Sequence, residues 1–579
     1  MSNAEIRVFE RALDEHLLGL PTFGYDANAS LALAANMYEV AAANDELRSR
    51  AESLHRGITI LAPRLVSGAA GLAPDIAALF KDIEFAAHYY MIREYLYYSY
   101  NVPDSFIWTF SERRVDVRFN DRSIPRQFFT VHNDFILKSR DHFAGFGNPE
   151  NVRALLKGQP EGETTDNVVQ AAPLLEQEVE LKLAAYFSIL GEDLHSDLGG
   201  YSYAQFLKLY RSLMGNALYH RYFAQANNAP GAIFIVEQNL LQDIERAEID
   251  IPVEAVKSIL NDIVFGIGAS DSRTDASYFS LLREGASPGR IVLMPHHFAT
   301  SEGLVNLLRV VAQRRPATFL KHLSEEIGKQ FTERVKTMFE AQGFSCRSNV
   351  SLRDIDPKLP DLDLLVISEE PTLGYVLLVC ELKSPLPPRW AKDQLKVLNK
   401  DSISKAFRQA KAISSFLKTD QGIYFLRSLL PESGLAHFDG FVVVVEQLIV
   451  TSDNAGMFFS EQKTKIINFR TLERLLKRSD GDMAFIQHVL HTYNKHADEA
   501  IRTTMTEFEF ADFTVSYEAV TNGPLLDFPT LQWRSSSKRD KWVNEFIESG
   551  LHPFDVFGKK KNEIKGPTRI VFGDVPEDS

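Results

Sequence analysis

Hydrophobic and polar positions change rhythm along this chain near residue 315. Before that point apolar residues mostly recur at helical spacing, as in LLEQEVELKLAAYFSIL and YAQFLKLYRSLMGNALYHRYF. The alanine-rich run ASLALAANMYEVAAANDELRSRAESL also favours helix. One short stretch, RRVDVRF, alternates and reads as a strand, and KGQPEGETTDN at Lys157–Asn167 has loop composition. No repeat of fixed period is present. Residues 1–315 are therefore expected to form a mostly helical N-terminal region that senses, docks or restrains.

The helix candidate HYYMIREYLYYSY, His88 to Tyr100, carries aromatic residues on several faces. Such a helix can offer a base-stacking surface. It can equally be buried between neighbours, its tyrosine hydroxyls reaching polar partners.

A break falls at QRRPATF, Gln313 to Phe319, where proline ends the preceding helix. Phe319 to Gln342 then reads as one amphipathic helix closed by Gly343. FSCRSNVSL, DLDLLVIS and YVLLVCELK read as three strands, SISKAFRQAKAISSFLK as a helix, and HFDGFVVVVEQL as a fourth strand. Three early strands can form an antiparallel meander, and the later helix is a crossover to the last strand. The expected fold class is mixed: a helical N-terminal region, an α/β domain over 316–475 with αβββαβ order, and a mixed, mostly helical region over 476–579. The last segment, GKKKNEIKGPTRIVFGDVPEDS, is expected to end in a mobile tail.

Length and composition narrow the classes. A chain of 579 residues is too long for one ordinary core. Two cysteines, Cys346 and Cys380, exclude a disulfide framework and a cysteine-rich zinc site, and suit a reducing cytosol. The polar N-terminus does not read as a signal peptide, and the longest apolar run, FVVVVEQLIV, is broken by Glu446. A cytoplasmic protein with no membrane partner is expected. The net charge of −14 argues against a general coating of nucleic acid. Residues 316–420, however, hold 16 Lys+Arg and 14 Asp+Glu, a net of +2 that leaves −16 for the remainder.

Candidate chemistry sits in PDLDLLVISEEPTLGYVLLVCELKS, Pro360 to Ser384. Its pieces recur elsewhere without meaning. Pro-Asp also occurs at Pro74-Asp75 and Pro103-Asp104, and Glu-x-Lys at Glu180, Glu461 and Glu563. Only the copy at Glu381 follows a continuous strand-like run. Residues two apart on a strand share a face, so Glu381 and Lys383 project together. In a hairpin of this length the start of the first strand lies beside the end of the second. That brings Asp363 close to Glu381, with Lys383 alongside. Two neighbouring carboxylates repel, and each raises the other's pKa. A hard divalent cation, Mg²⁺ or Mn²⁺, removes that penalty and supplies what phosphodiester hydrolysis needs. The bland alternative is a structural salt bridge at the sheet end.

Asp363 followed by a strand ending Glu381-Leu382-Lys383 resembles the PD-(D/E)XK nuclease superfamily, whose fold is restriction-endonuclease-like. The resemblance covers roughly residues 316–450. It implies Asp363, Glu381 and the backbone carbonyl of Leu382 as metal ligands, with Lys383 positioning water or stabilising charge. The Mrr-like branch carries a glutamate on the first core helix directly after a phenylalanine. Here Glu333 follows Phe331 with Thr332 between, and would be an accessory ligand or orienter. Gln409, in SKAFRQAKA, would face the site. Asp361 is the PD residue in letters, but Asp363 fits the pattern of an aspartate before an apolar strand better. The implied function is a Mg²⁺-dependent nuclease, an endodeoxyribonuclease with DNA as partner, in bacterial restriction or phage defence. A catalytically silent nuclease-fold module that binds nucleic acid or protein is the alternative. A helical scaffold with a protein partner, or a homo-oligomer joined through helical regions, is a third reading.

The cations after the motif, Arg389, Lys392, Lys396, Lys400, Lys405, Arg408 and Lys411, can bind phosphates or simply solvate helix faces. His296-His297 has no acid or cysteine at metal spacing, so a loop or core role is expected, and no acid or histidine constellation is legible in the N-terminal region. No GxxxxGK[ST] phosphate loop occurs.

Overall fold

The computed structural model describes residues 3–44, 46–65, 71–121, 124–125, 128, 149–161, 163–186, 190, 197–236, 239–242, 250–266, 276–284, 289–370, 374–386, 390–399, 402–431, 442–452, 464–487, 489–491, 501–522 and 569–572. Arg389, Lys400 and most of the basic C-terminal segment lie outside them. Packing divides the chain into two units. One holds described residues of 1–118, 135–327 and 505–517, the other those of 119–134, 328–504 and 518–579. The sequence placed the change at 315/316. Pro316 does end one helix, but it opens the next as its first residue, where a missing N–H costs nothing. The chain then runs through a π-helical turn at Phe319–Leu323 into Ser324–Glu340.

The first unit is mainly helical, as the apolar spacing implied. Long helices span Asn3–Leu18, Ala27–Ala43, Arg48–Leu65, Ile76–Asn101, Asp166–Tyr186 and Tyr203–Asn227. Their starts are set by local chemistry. Asp26 and Asp75 accept from the amides of Ala29 and Ala78, and Ser202 with Gln205 forms a reciprocal capping box. In the aromatic helix, Tyr90, Tyr95 and Tyr98 are buried, whereas Tyr97 and Tyr100 are exposed. His88 stacks on Phe508 at 4.6 Å, and Tyr95 on Phe106 at 4.6 Å. Most of this helix is core.

Strands Phe106–Ser111, Arg114–Phe119, Phe513–Asn522 and Ile501–Phe510 form one four-stranded sheet. Ile501–Asn522 corrects the expectation of a mostly helical 476–579. Thr503, Phe508, Phe510, Val515 and Tyr517 suit a pleated, half-buried surface, and Ala511 takes the positive φ that a tight hairpin requires.

The second unit holds the predicted helix, three strands, helix and strand, with further elements. We label them α1 (Ser324–Glu340), β1 (Ser345–Val350), β2 (Leu362–Glu370), β3 (Gly374–Lys383), α2 (Ala391–Asn399), α3 (Ser402–Leu417), α4 (Asp420–Leu429), β4 (Val442–Thr451), β5 (Lys465–Asn468), α5 (Phe469–Ser479) and β6 (Arg569–Phe572). β1, β2 and β3 form an antiparallel meander, and β4 lies parallel to β3 from Val442↔Gly374 to Thr451↔Lys383. A parallel neighbour requires a crossover, which α2, α3 and α4 provide. Beyond β4, β5 pairs with its C-terminal half and β6 with its N-terminal half.

Both sheet faces are covered, which is why β3 is almost wholly apolar. On one face Leu364, Val366, Val376, Leu378 and Cys380 pack with Phe331, Val335 and Phe339 of α1 and Leu472, Leu475 and Leu476 of α5. On the other, Leu365, Ile367, Leu377, Val379, Val443 and Val445 meet Ile413, Phe416 and Leu417 of α3. Toward the C-terminal end of β3 the second face continues as Ile449 and Ile466 beneath Ile403 and Ala406, with Val397 of α2 against them. This packing fixes which helix lies over which end of the strands.

Candidate functional site

The site grows from strand register. β2 and β3 pair as Leu365↔Val379 and Leu364↔Cys380, so the next step sets Asp363 opposite Glu381. Directly opposed residues point to the same face. Asp363, Glu381 and Lys383 thus share the α3 side of the sheet with Leu365 and Val379.

The backbone ladder between β2 and β3 ends at Leu364–Cys380. One residue on, the Leu382 N–H donates to the Asp363 carboxylate at 2.8 Å. The carboxylate therefore replaces a ladder acceptor where the strands part. On the other edge of β3 the Lys383 carbonyl accepts from the Ser452 N–H at 2.9 Å. Peptide groups alternate along a strand, so those of Leu382 face β2 and Asp363. The Leu382 carbonyl is thereby aimed at the side where the two carboxylates sit.

Glu381 is 3% exposed, whereas Asp363 and Lys383 are half-buried. Lys383 Nζ donates to Glu381 Oε1 and lies 3.9 Å from Asp363 Oδ2. Glu381 Oε2 is buried with no hydrogen-bond partner. Burial pushes the Glu381 carboxyl up to about 7, and the Asp363 charge adds to the rise, against the pull of Lys383. A single ammonium does not neutralise two carboxylates this close.

This donor set fits a hard cation. Two carboxylates and a carbonyl are oxygen ligands of the kind Mg²⁺ takes, with waters completing its shell. The orphaned Oε2 of Glu381 is a lone-pair donor already stripped of water. Among the described residues no group of three or more His, Cys, Asp or Glu side chains is placed to hold an ion, and those residues bring two carboxylates together here.

Glu333 is not brought to the cluster. It lies on α1, whose Phe331, Val335 and Phe339 cover the opposite sheet face. Its carboxylate is exposed and pairs with Lys336 at 3.9 Å on its own helix. The apolar stripe of α1 sets this orientation, because Glu333 falls nearly half a turn from Phe331. Asp361 is engaged elsewhere, with Arg353 at 3.2 Å and Ser351 at 3.4 Å.

Gln409 lies on α3, the helix over the carboxylate face. It shares a flank of that helix with Phe416, which packs toward β2 and β3, while Phe407 on the other flank packs toward Ile449 and Ile466. Gln409 Oε1 is buried and unpartnered. A second glutamine, Gln394 on α2, is 1% exposed, and neither of its amide atoms has a partner. Gln394 was not among the residues expected at the site; its spacing three residues before Val397 is the one hint in the sequence that it faces inward.

In the first unit His296 and His297 are buried, the core role expected of them. Both backbone amides donate to the Glu39 carboxylate, at 3.0 and 3.4 Å. Ser280 Oγ is 2.6 Å from His297 Nδ1, and the His55 and His297 rings stack at 4.1 Å. Nearby, buried Lys182 donates to the Ala299 carbonyl at 3.2 Å and lies 3.9 Å from Glu178, which accepts from Tyr222 at 2.5 Å. Burial raises Glu39 to about 8 and lowers Lys182 to about 8. The network was invisible in sequence because Glu39, Lys182 and His297 come from helices far apart in the chain.

No helix among the described residues is long and apolar enough to cross a membrane. No protein-family model, curated protein or solved structure matches this chain, so the carboxylate pair at the end of β2 and β3 is defined by its own geometry.

Proposed function

We propose that the second unit is a metal-dependent nuclease of PD-(D/E)XK type, with a restriction-endonuclease-like core, hydrolysing phosphodiester bonds of DNA in restriction or phage defence. The observation that supports this most is Glu381, a buried carboxylate with one unpartnered oxygen, opposed across the strand pair by Asp363. Burying such a group costs several kcal/mol unless a partner arrives. A divalent cation is the partner whose charge and ligand preference match two carboxylates and a carbonyl.

Asp363, Glu381 and the Leu382 carbonyl would hold Mg²⁺ or Mn²⁺. When bound, the cation supplies charge for a phosphoryl oxygen and acidifies a coordinated water. Asp363 also accepts from the Leu382 N–H, which locks its carboxylate to the strand it faces. Lys383, half-buried and bonded to Glu381, keeps a positive charge beside the reacting phosphate and orients water. Gln409, on the helix above, carries a buried amide oxygen that can accept from water or a substrate hydroxyl. Glu333 has no part in this reading.

The test is incubation of the full chain with linear duplex, circular duplex and single-stranded DNA, and with RNA, with and without Mg²⁺ or Mn²⁺. Cleavage that needs metal and is lost in Asp363→Asn and Glu381→Gln supports the reading. Binding of nucleic acid without cleavage under every metal condition leaves the silent binding module instead.

A further inference from the structure

We propose that the outer face of α3, through Lys405, Arg408 and Lys411, is a track for the phosphodiester backbone of nucleic acid. Lys392 of α2 extends it. This inference rests on the reading above for its choice of nucleic acid, and it can fail independently of cleavage.

The placement follows from packing. Ile403, Ala406, Ile413 and Leu417 of α3 are buried on the sheet. At 100° per residue, Lys405, Arg408 and Lys411 fall on the opposite side, centred on Arg408, and all three are exposed. They span about 9 Å of helix axis. Ile403 and Ala406 pack on Ile449, the β4 neighbour of Glu381. The Lys405 end of the row is therefore the end nearest the carboxylates. α2 covers the same sheet end through Val397, and its Lys392 is exposed.

What separates these cations from ordinary solvated lysines is what accompanies them. Several exposed helix lysines elsewhere in this acidic chain pair with acids of their own helix. Lys336 sits between Glu333 and Glu340, Lys477 pairs with Glu473, and Lys257 with Glu254. Such i,i+3 and i,i+4 pairs are the usual company of exposed helix lysines. α3 contains no acidic residue at all. Among the described residues Lys392, Lys405 and Lys411 have no acidic partner, and the one side-chain bond of Arg408 is to the Ser404 hydroxyl at 3.4 Å. A row of cations with no acidic partner among the described residues, in a chain of net charge −14, suits a polyanion.

The experiment measures affinity of the full chain for labelled duplex DNA in EDTA, by fluorescence anisotropy, across a salt series. The variant is Lys405→Ala/Arg408→Ala/Lys411→Ala. The control, Lys208→Ala/Lys257→Ala/Lys477→Ala, changes net charge equally but removes lysines that have acidic neighbours. Each lost phosphate contact lowers the salt slope by about 0.9. Between 50 and 200 mM salt the wild type should therefore lose about 40-fold more affinity than the triple variant. The control should keep the wild-type slope. Because α3 is anchored by its other face, the variant should retain the wild-type circular dichroism and melting temperature.

An unchanged slope in the triple variant would overturn the proposal, as would an equal fall in the control. So would a wild type that binds no nucleic acid at low salt, or poly-glutamate displacing duplex as well as unlabelled duplex does. Cleavage is read separately. A chain that binds through these cations and cuts nothing keeps the track and loses the nuclease; one that cuts with an unchanged slope loses only the track.

Discussion

Replacing Glu381 with glutamine should stabilise the second unit, and by an amount that grows with pH. The side chain is 3% exposed, has one unpartnered oxygen and faces Asp363. Burial and that charge raise its pKa from 4.5 to about 7. The folded state thus holds a proton that the unfolded state has already released. Wild-type stability is unaffected by this group below pH 4.5, falls as pH rises through the window from 4.5 to about 7, and stays lower above it. At 1.36 kcal/mol per pKa unit the loss amounts to about 3 kcal/mol. Glutamine does not titrate and keeps the shape, so the variant escapes this loss. Hydrogen exchange of the β3 amides, compared between variant and wild type at each pH, reads the unit directly. At pH 8 exchange that proceeds by unfolding of the unit should slow roughly 100-fold in the variant, and at pH 4 the two proteins should match. Added Mg²⁺ at pH 8 should protect the wild type and leave Glu381→Gln unchanged. Equal exchange at pH 8, or a variant less protected at every pH, would refute the picture of a buried carboxylate held against repulsion.

Lys383→Ala removes the ammonium from a buried carboxylate, and should cost roughly 2 kcal/mol at pH 8 by denaturant titration while sparing Mg²⁺ binding. Gln409→Leu removes a buried, unpartnered amide oxygen and should raise stability by about 1 kcal/mol, yet lower any metal-dependent cleavage; a fall in both would mean that the amide is a structural group. Glu333→Ala should leave metal affinity and cleavage within a few-fold of wild type, since its partner is Lys336 and its helix covers the other sheet face; a hundredfold loss of cleavage would place it in the site after all. Lys182→Ala should lower the melting transition of the first unit, costing about 3 kcal/mol, because it strands the buried Glu178 charge.

The order of elements around Asp363 and Glu381 was legible in the chain because it depends on local periodicity. A short, β-branched and continuously apolar run ending in Glu381-Leu382-Lys383 reads as a central strand, and a strand fixes which of its residues share a face. Only three residues separate Glu370 from Gly374, so the two strands pair as neighbours, and their register brings Asp363 opposite Glu381. The hairpin at Ile501–Asn522 carried the same kind of signal, in its alternating Thr, Phe and Val positions, and was nevertheless expected as helix. Other features were not local. That α1 covers one face and α3 the other is decided by how two apolar stripes dock on a sheet, and this docking turns Glu333 away and puts the helix of Gln409 over the carboxylate face. The orphaned oxygen of Glu381 arises from the sum of those contacts, since desolvation belongs to a packed volume and has no letter in the sequence. The same holds for Glu39, Lys182 and His297, which are ordinary residues of separate helices until packing closes a dry network around them.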